Sequence, residues 1–278
     1  MKNNDNINII NCVENALSDT ATVLIPAGTF QMGNTGFSGD LSNETPVHKV
    51  IISRAFYIGK YKVTQGLWKS VMGNNPSDFK GDNRPVEHIN WFEAIEFCNK
   101  KSKIDGFSPC YTINGINVTC DWNANGWRLP TEAESEYTCK GGTSTDFYSG
   151  NMRIGLYSLA DTNLDKIGWY FNNSYSTTHP CGLKLPNNFG VYDMTGNVDE
   201  WCWDWWGFYN SGTVYDPKGP NGGVNKILRG GTWYDNPAFC RSSFRWKDNP
   251  NEMGGLRHFD VKADYYYSYG VRIVRVKF

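Results

Sequence analysis

Only three stretches of this chain have the spacing of a regular helix, and each carries its own start signal. Val63–Met72 offers Thr64 as an N-cap, Leu67, Trp68, Val71 and Met72 as an apolar side, and Gly73 as a stop. Trp91 to about Lys103 follows Asn90-x-x-Glu93, a capping-box-like pair, and puts Trp91, Ile95 and Cys98 on one face. Thr131–Lys140 opens on the capping box Thr131-x-x-Glu134 and ends at Gly141-Gly142. Val23–Met32, Val47–Ile52 and Gly270–Val276 read as strands. Everything between is turn-rich, so the expected class is α+β: small twisted antiparallel sheets, a few helices and extensive ordered loops that carry the function. No repeat or linker divides the chain. One domain over residues 21–278 follows, with the polar, Asn-rich 1–20 as a tether or frayed end.

Composition narrows the function. Lys plus Arg is 27 against 28 Asp plus Glu, a formal charge of -1, which leaves no basic footprint for nucleic acid. No run of about 18 apolar residues offers a membrane span. Eleven Trp, 16 Tyr and 15 Phe exclude global disorder. The first residues lack the apolar core of a signal peptide. The eight cysteines include no C-x-x-C, so zinc-ribbon and thioredoxin chemistry are not expected. Cys110 and Cys120 bracket a hairpin with an Asn114-Gly115 turn, which brings their sulfurs near each other, bonded or as two reduced thiols.

Longer motifs then follow in order: Ile25-Pro26-Ala27-Gly28-Thr29-Phe30-Gln31-Met32-Gly33, Asn43 to His48, Tyr61 to Thr64, Arg84-Pro85-Val86 leading to Asn90-Trp91, Trp127 to Glu134, Asn188 to Trp201, Leu228-Arg229-Gly230-Gly231-Thr232-Trp233 and Gly270-Val271-Arg272. Over residues 22–278 the chain resembles the formylglycine-generating-enzyme, or sulfatase-modifying-factor, superfamily. The resemblance implies an elaborated C-type-lectin fold. Arg229 before two glycines fits close packing of a strand against another element, and Arg128 fits a buried carboxylate; both are expected to be structural.

Enzymes of that superfamily bind copper(I) through two cysteines shortly after the Gly-Gly motif. Here those positions fall on Asp235 and Cys240. A carboxylate is a poor ligand for a soft ion that takes two thiolates. Iron-dependent relatives use a histidine triad, whereas His48, His88, His179 and His258 are scattered without H-x-x-H spacing. Catalysis is therefore not expected. The alternative is a formylglycine-generating-type oxidase or a degenerate relative. Asp193, the carbonyls of Gly196 and Val198, and Glu200 match the family's calcium ligands, so a structural calcium is a candidate. No cofactor is required otherwise.

The C-terminal segment is rich in aromatics, Asn, Asp and Ser, a mixture of rigid contact rings and adaptable hydrogen-bonding groups. Its framework resembles the variable region of diversity-generating-retroelement proteins, most closely the treponemal variable proteins. By that resemblance residues 229–278 are a candidate variable region, and the variable, ligand-binding positions are Tyr234, Asp235, Asn236, Phe239, Phe244, Trp246, Asp248, Asn249, His258, Phe259, Asp264, Tyr265, Tyr266 and Tyr267. Of these, Phe239 and Phe244 are the best candidates for core packing. The implied partner is a macromolecular ligand, protein or glycan. The implied location is the cell surface or outside the cell, with a lipid anchor beyond this chain, and otherwise the cytoplasm. A weaker reading is carbohydrate binding through exposed Trp and Tyr, for which the fold name is no evidence.

Overall fold

The computed structural model describes residues 21–35, 42–153, 158–254 and 268–277. Strands β1 (Thr22–Ile25) and β2 (Gly28–Met32) divide what reads in the sequence as one strand. Pro26 between them has no N–H for a ladder. Gly28 follows because a Cβ there would lie 2.3 Å from the Tyr137 hydroxyl. β3 (His48–Ile52) pairs antiparallel with β2, and β4 (Phe56–Gly59) pairs antiparallel with β1.

Helix α1 (Gln65–Met72) starts as expected. The Thr64 hydroxyl accepts from the Leu67 N–H, and Gly73 closes the helix in the left-handed conformation. Helix α2 (Trp91–Ile104) has both bonds of a capping box between Asn90 and Glu93. The stacked rings of Trp68 and Phe97, 5.0 Å apart, pack α1 on α2. The hairpin β5 (Tyr111–Asn114) and β6 (Asn117–Cys120) turns through Gly115 and Ile116, not Asn114-Gly115. Tyr111 therefore pairs with Cys120, so the two cysteines are one step out of register, and both are free thiols.

Helix α3 (Glu132–Lys140) keeps its predicted capping box and ends at a left-handed Gly141. Every residue of α3 is buried, including Glu132, Glu134, Glu136 and Lys140. Strands β7 (Asp199–Trp205), β8 (Thr213–Tyr215), β9 (Lys226–Arg229), β10 (Trp246–Asp248), β11 (Tyr269–Gly270) and β12 (Val274–Val276) complete the sheets. Their orders are β1-β4-β12, β2-β3-β8 and β10-β9-β7-β11. The expected all-antiparallel pairing is corrected at two places, because β3–β8 and β7–β11 are parallel. The predicted strand Gly270–Val276 is likewise two short strands.

Two large apolar clusters make most of the core among the described residues, beside two smaller ones. One gathers α1, α2 and the β7–β9 sheet around Trp68, Trp91, Phe97, Trp127, Trp201 and Leu228. The indoles tie it together: Trp91 donates to the Cys202 carbonyl at 2.9 Å, and Trp201 to the Ile89 carbonyl at 3.1 Å. The other joins the β1–β4 and β2–β3 sheets to α3 through Ile25, Val50, Ile52, Phe56, Ala133 and Tyr137.

Candidate binding surface

The C-terminal surface begins where β9 runs into Gly230 and Gly231, both at positive φ. A Cβ on Gly231 would meet the Phe239 carbonyl at 2.7 Å and the Cys240 sulfur at 2.8 Å, so the chain folds back on itself only with glycine there. Three buried arginines then fix the returning segment. Arg229 donates to the carbonyls of Ser242, Ser243 and Phe244 and to Glu136 of α3. Arg241 forms a two-pronged pair with Glu44, at 2.6 and 2.8 Å. Arg245 does the same with Glu132, also at 2.6 and 2.8 Å. A guanidinium matches a carboxylate at two points, and burial makes each pair sensitive to loss of either partner. The all-buried, charged α3 is thereby explained: its glutamates are the sockets of this segment and, at Glu134, of Arg128.

On this frame the predicted positions separate. Tyr234 is half-buried and meets Phe171 edge-on at 5.5 Å. Asn236 caps the short helical turn Pro237–Cys240 through the Ala238 N–H. Phe239 is half-buried against Phe244 at 5.0 Å. Trp246 and Asp248 lie on the outer strand β10 of its sheet, with Asn249 just beyond, all three half-buried. The Tyr269 hydroxyl donates to Asp248 at 2.7 Å. One expectation is corrected: Asp235 is only 6% exposed, because its carboxylate accepts from the N–H and the hydroxyl of Thr232 at 2.7 and 2.8 Å. Phe244, 4% exposed, packs in the interior as its core reading expected and is not part of the surface. His258, Phe259, Asp264, Tyr265, Tyr266 and Tyr267 lie outside the described residues.

One member of the surface had no signal in the sequence. Phe171, 40% exposed, reaches Tyr234 because its N–H donates to the Asp235 carbonyl at 3.0 Å. It comes from a turn-rich loop more than sixty residues upstream, where nothing distinguishes it from a core ring.

Two of the four groups expected to hold calcium, the Val198 carbonyl and Glu200, are bonded to cations of the protein itself. Lys62 donates to the Val198 carbonyl at 2.9 Å and to Glu200 at 2.6 Å. Arg272 donates twice more to Glu200 through Nε and Nη2. These two cations hold the Glu200 carboxyl below its usual range despite burial. Asp193 accepts from the Gly182 N–H, and its other oxygen has no partner. Burial pushes that carboxyl up. The Gly196 N–H donates to the Gly230 carbonyl, tying this turn to the glycine pair. The positive charge expected from calcium is thus supplied at Glu200 by Lys62 and Arg272. Among the described residues no group of three or more His, Cys, Asp or Glu is arranged to hold a metal ion. Asp199 accepts from the Gly231 N–H at 2.8 Å, which gives the residue between Val198 and Glu200 a structural role of its own.

A set of small sheets and long ordered loops with, among the described residues, three helices and a C-terminal segment held on a buried arginine frame defines an α+β scaffold of the C-type-lectin kind. Residues 11–258 match the family model described as "Sulfatase-modifying factor enzyme 1-like domain", and the chain belongs to that family. Treponema denticola variable protein 1 is similar in structure, with a TM-score of 0.77, 35% identity, and coverage of 91% of this chain and 94% of that one. The "Chaperone protein LppX" of Paenibacillus barcinonensis is 35% identical, over 84% of this chain and 87% of its own length. The formylglycine-generating enzyme of Mus musculus is 26% identical over 82% of this chain, which spans 57% of that enzyme.

Proposed function

We propose that this protein is a non-catalytic ligand-binding scaffold whose C-terminal surface, with Tyr234, Asn236, Phe239, Trp246, Asp248 and Asn249, recognises a macromolecular ligand, protein or glycan, and is diversified by a retroelement. The observation that carries the reading is the pairing of half-exposed aromatic and amide side chains with a buried arginine frame on the same short segment. A surface built to vary needs fixed anchors that its variation does not touch, and Arg229, Arg241 and Arg245 are anchors of that kind. Rigid rings flanked by small polar groups bind with little loss of side-chain entropy. The likeness to a protein named a variable protein supports the reading.

Asp235 bears on catalysis. It stands where the oxidases of the family have their first active-site cysteine, and its carboxylate is bonded to Thr232. Two thiolates for copper(I) are therefore not provided at Asp235 and Cys240. The reading needs no cofactor, and display at the cell surface belongs to it. Among the described residues no helix is long and apolar enough to cross a membrane.

The test is to sequence the coding segment from the Arg229 codon onward across many clones of the source strain, together with the flanking DNA. Substitutions confined to the surface positions and traceable to adenines in a nearby near-repeat are the expected result. An invariant segment without such a repeat would sink diversification. Copper-dependent oxidation of a cysteine-containing peptide by the purified protein would sink the non-catalytic reading.

A further inference from the structure

Tyr175 is 85% exposed, more than any other large apolar or aromatic side chain among the described residues. It also stands at a φ of 54°, with Ser176 after it at 57°. The left-handed region crowds any Cβ and is rare for a bulky ring, so glycine or asparagine would sit there more easily. Nothing within the chain compensates. Among the described residues the Tyr175 ring meets no other ring, and its hydroxyl has no hydrogen-bond partner.

The turn that carries it is nevertheless fixed on both sides. Ser174 and Thr178, which bracket it, are buried. The Ser174 N–H donates to the Tyr170 carbonyl at 2.9 Å. The Ser174 carbonyl accepts from the Thr177 N–H at 3.3 Å and from His179 Nε2 at 2.7 Å. Arg84 donates to the Thr177 hydroxyl at 3.0 Å. His179 stacks on Trp169 at 3.8 Å, and the Asn197 amide bonds both its N–H and its carbonyl. These bonds impose an unfavourable backbone on a ring that takes no part in them, which is how contact residues for an outside partner are held.

Phe171, four residues earlier on the same turn, joins it to the C-terminal surface. Phe79, Trp233, Tyr234 and Phe171 form one row of rings, each edge-on to the next, with centres 5.3, 5.2 and 5.5 Å apart. Trp233 is fully buried, so the row is rooted in the interior and emerges at Tyr234 and Phe171. The exposed side chains of the turn, Phe171, Asn172, Tyr175 and Ser176, carry no charge.

We propose, resting on the ligand-binding reading above, that Phe171 and Tyr175 are fixed contacts of the same surface, and that the ligand they anchor is a protein. They stay constant while the C-terminal positions vary, supplying affinity that does not depend on the variable residues. Protruding, uncharged aromatic side chains beside a half-buried Tyr have the composition of protein-interface hot spots. Neighbouring rings set at 85°, 67° and 76° to one another present edges and ridges, not the shared flat platform on which a sugar would stack.

The test is a library of the full chain randomised at Tyr234, Asn236, Phe239, Trp246, Asp248 and Asn249, displayed and selected separately on lysozyme, ubiquitin and dextran. Clones should arise on the two proteins. In most of them, whatever their variable residues, Phe171→Ala and Tyr175→Asn should each weaken binding at least about tenfold. Asparagine accepts the left-handed backbone, so the melting temperature of Tyr175→Asn should match or exceed that of its parent clone. Protein-binding clones that keep their affinity in either variant would overturn the anchor role of that residue and leave the ligand-binding reading standing. Affinity lost only together with a lower melting temperature in Tyr175→Asn, the mark of a structural role, would do the same. Clones on dextran alone would overturn the protein ligand. No clones on any probe would overturn the ligand-binding reading itself, and the anchors with it.

Discussion

Glu87 is fully buried, with one oxygen accepting from the Phe79 N–H at 2.9 Å and the other without a partner. Burial raises its pKa from 4.5 to about 7. Between those two values the folded protein holds a proton that the unfolded chain has released. The contribution of this group to stability is therefore fully present below about pH 4.5 and is lost as pH rises from there through about 7, by about 3 kcal/mol. Glu87→Gln keeps the acceptor for Phe79 and removes the titration. Urea unfolding at a series of pH values should show a flatter profile across that window, with the variant at least as stable as wild type at pH 7. An unchanged slope would show that Glu87 does not titrate there. Lys62 makes a second prediction at this scale. Because its ammonium already sits on Glu200 and the Val198 carbonyl, calcium added to chelator-treated protein should give no heat and no rise in melting temperature. A rise would restore the calcium expected from the sequence.

At the scale of elements, what was legible depended on how local the cause is. The helix boundaries were readable because caps are made by residues three apart, as Asn90 with Glu93 and Thr131 with Glu134. Asn90→Ala should lower unfolding free energy by about 1 kcal/mol with the denaturant slope unchanged; no loss would mean that tertiary packing alone holds the start of α2. Strands were less legible. β10, β11 and β8 are two or three residues long, too short for an alternating pattern, and distant segments recruit them into sheets. The hairpin register was off by one because Gly115 takes the first loop position rather than the second. α3 shows no amphipathic face because neither side of it meets water, and the role of its glutamates is visible only once Arg229 and Arg245 are seen against them.

At the scale of the whole molecule, a scaffold for display should separate tolerance from stability. A library randomised at Tyr234, Phe239, Trp246 and Asn249 should yield mostly folded members, each change costing within about 1 kcal/mol. Arg245→Met leaves Glu132 buried without its two-pronged partner and should cost about 3–5 kcal/mol. Thermal melts of both sets decide it: a library that largely unfolds would mean that these side chains hold the fold rather than decorate it. The sequence by itself determined the α+β class, the three capped helices found among the described residues and the family, because each rests on local spacing or long contiguous motifs. Only the tertiary structure decided that Asp235 turns inward, that Phe171 joins Tyr234, and that Lys62 and Arg272 serve the acid expected to bind calcium. Each of these depends on which distant groups burial brings within hydrogen-bond reach, and chain spacing does not encode that.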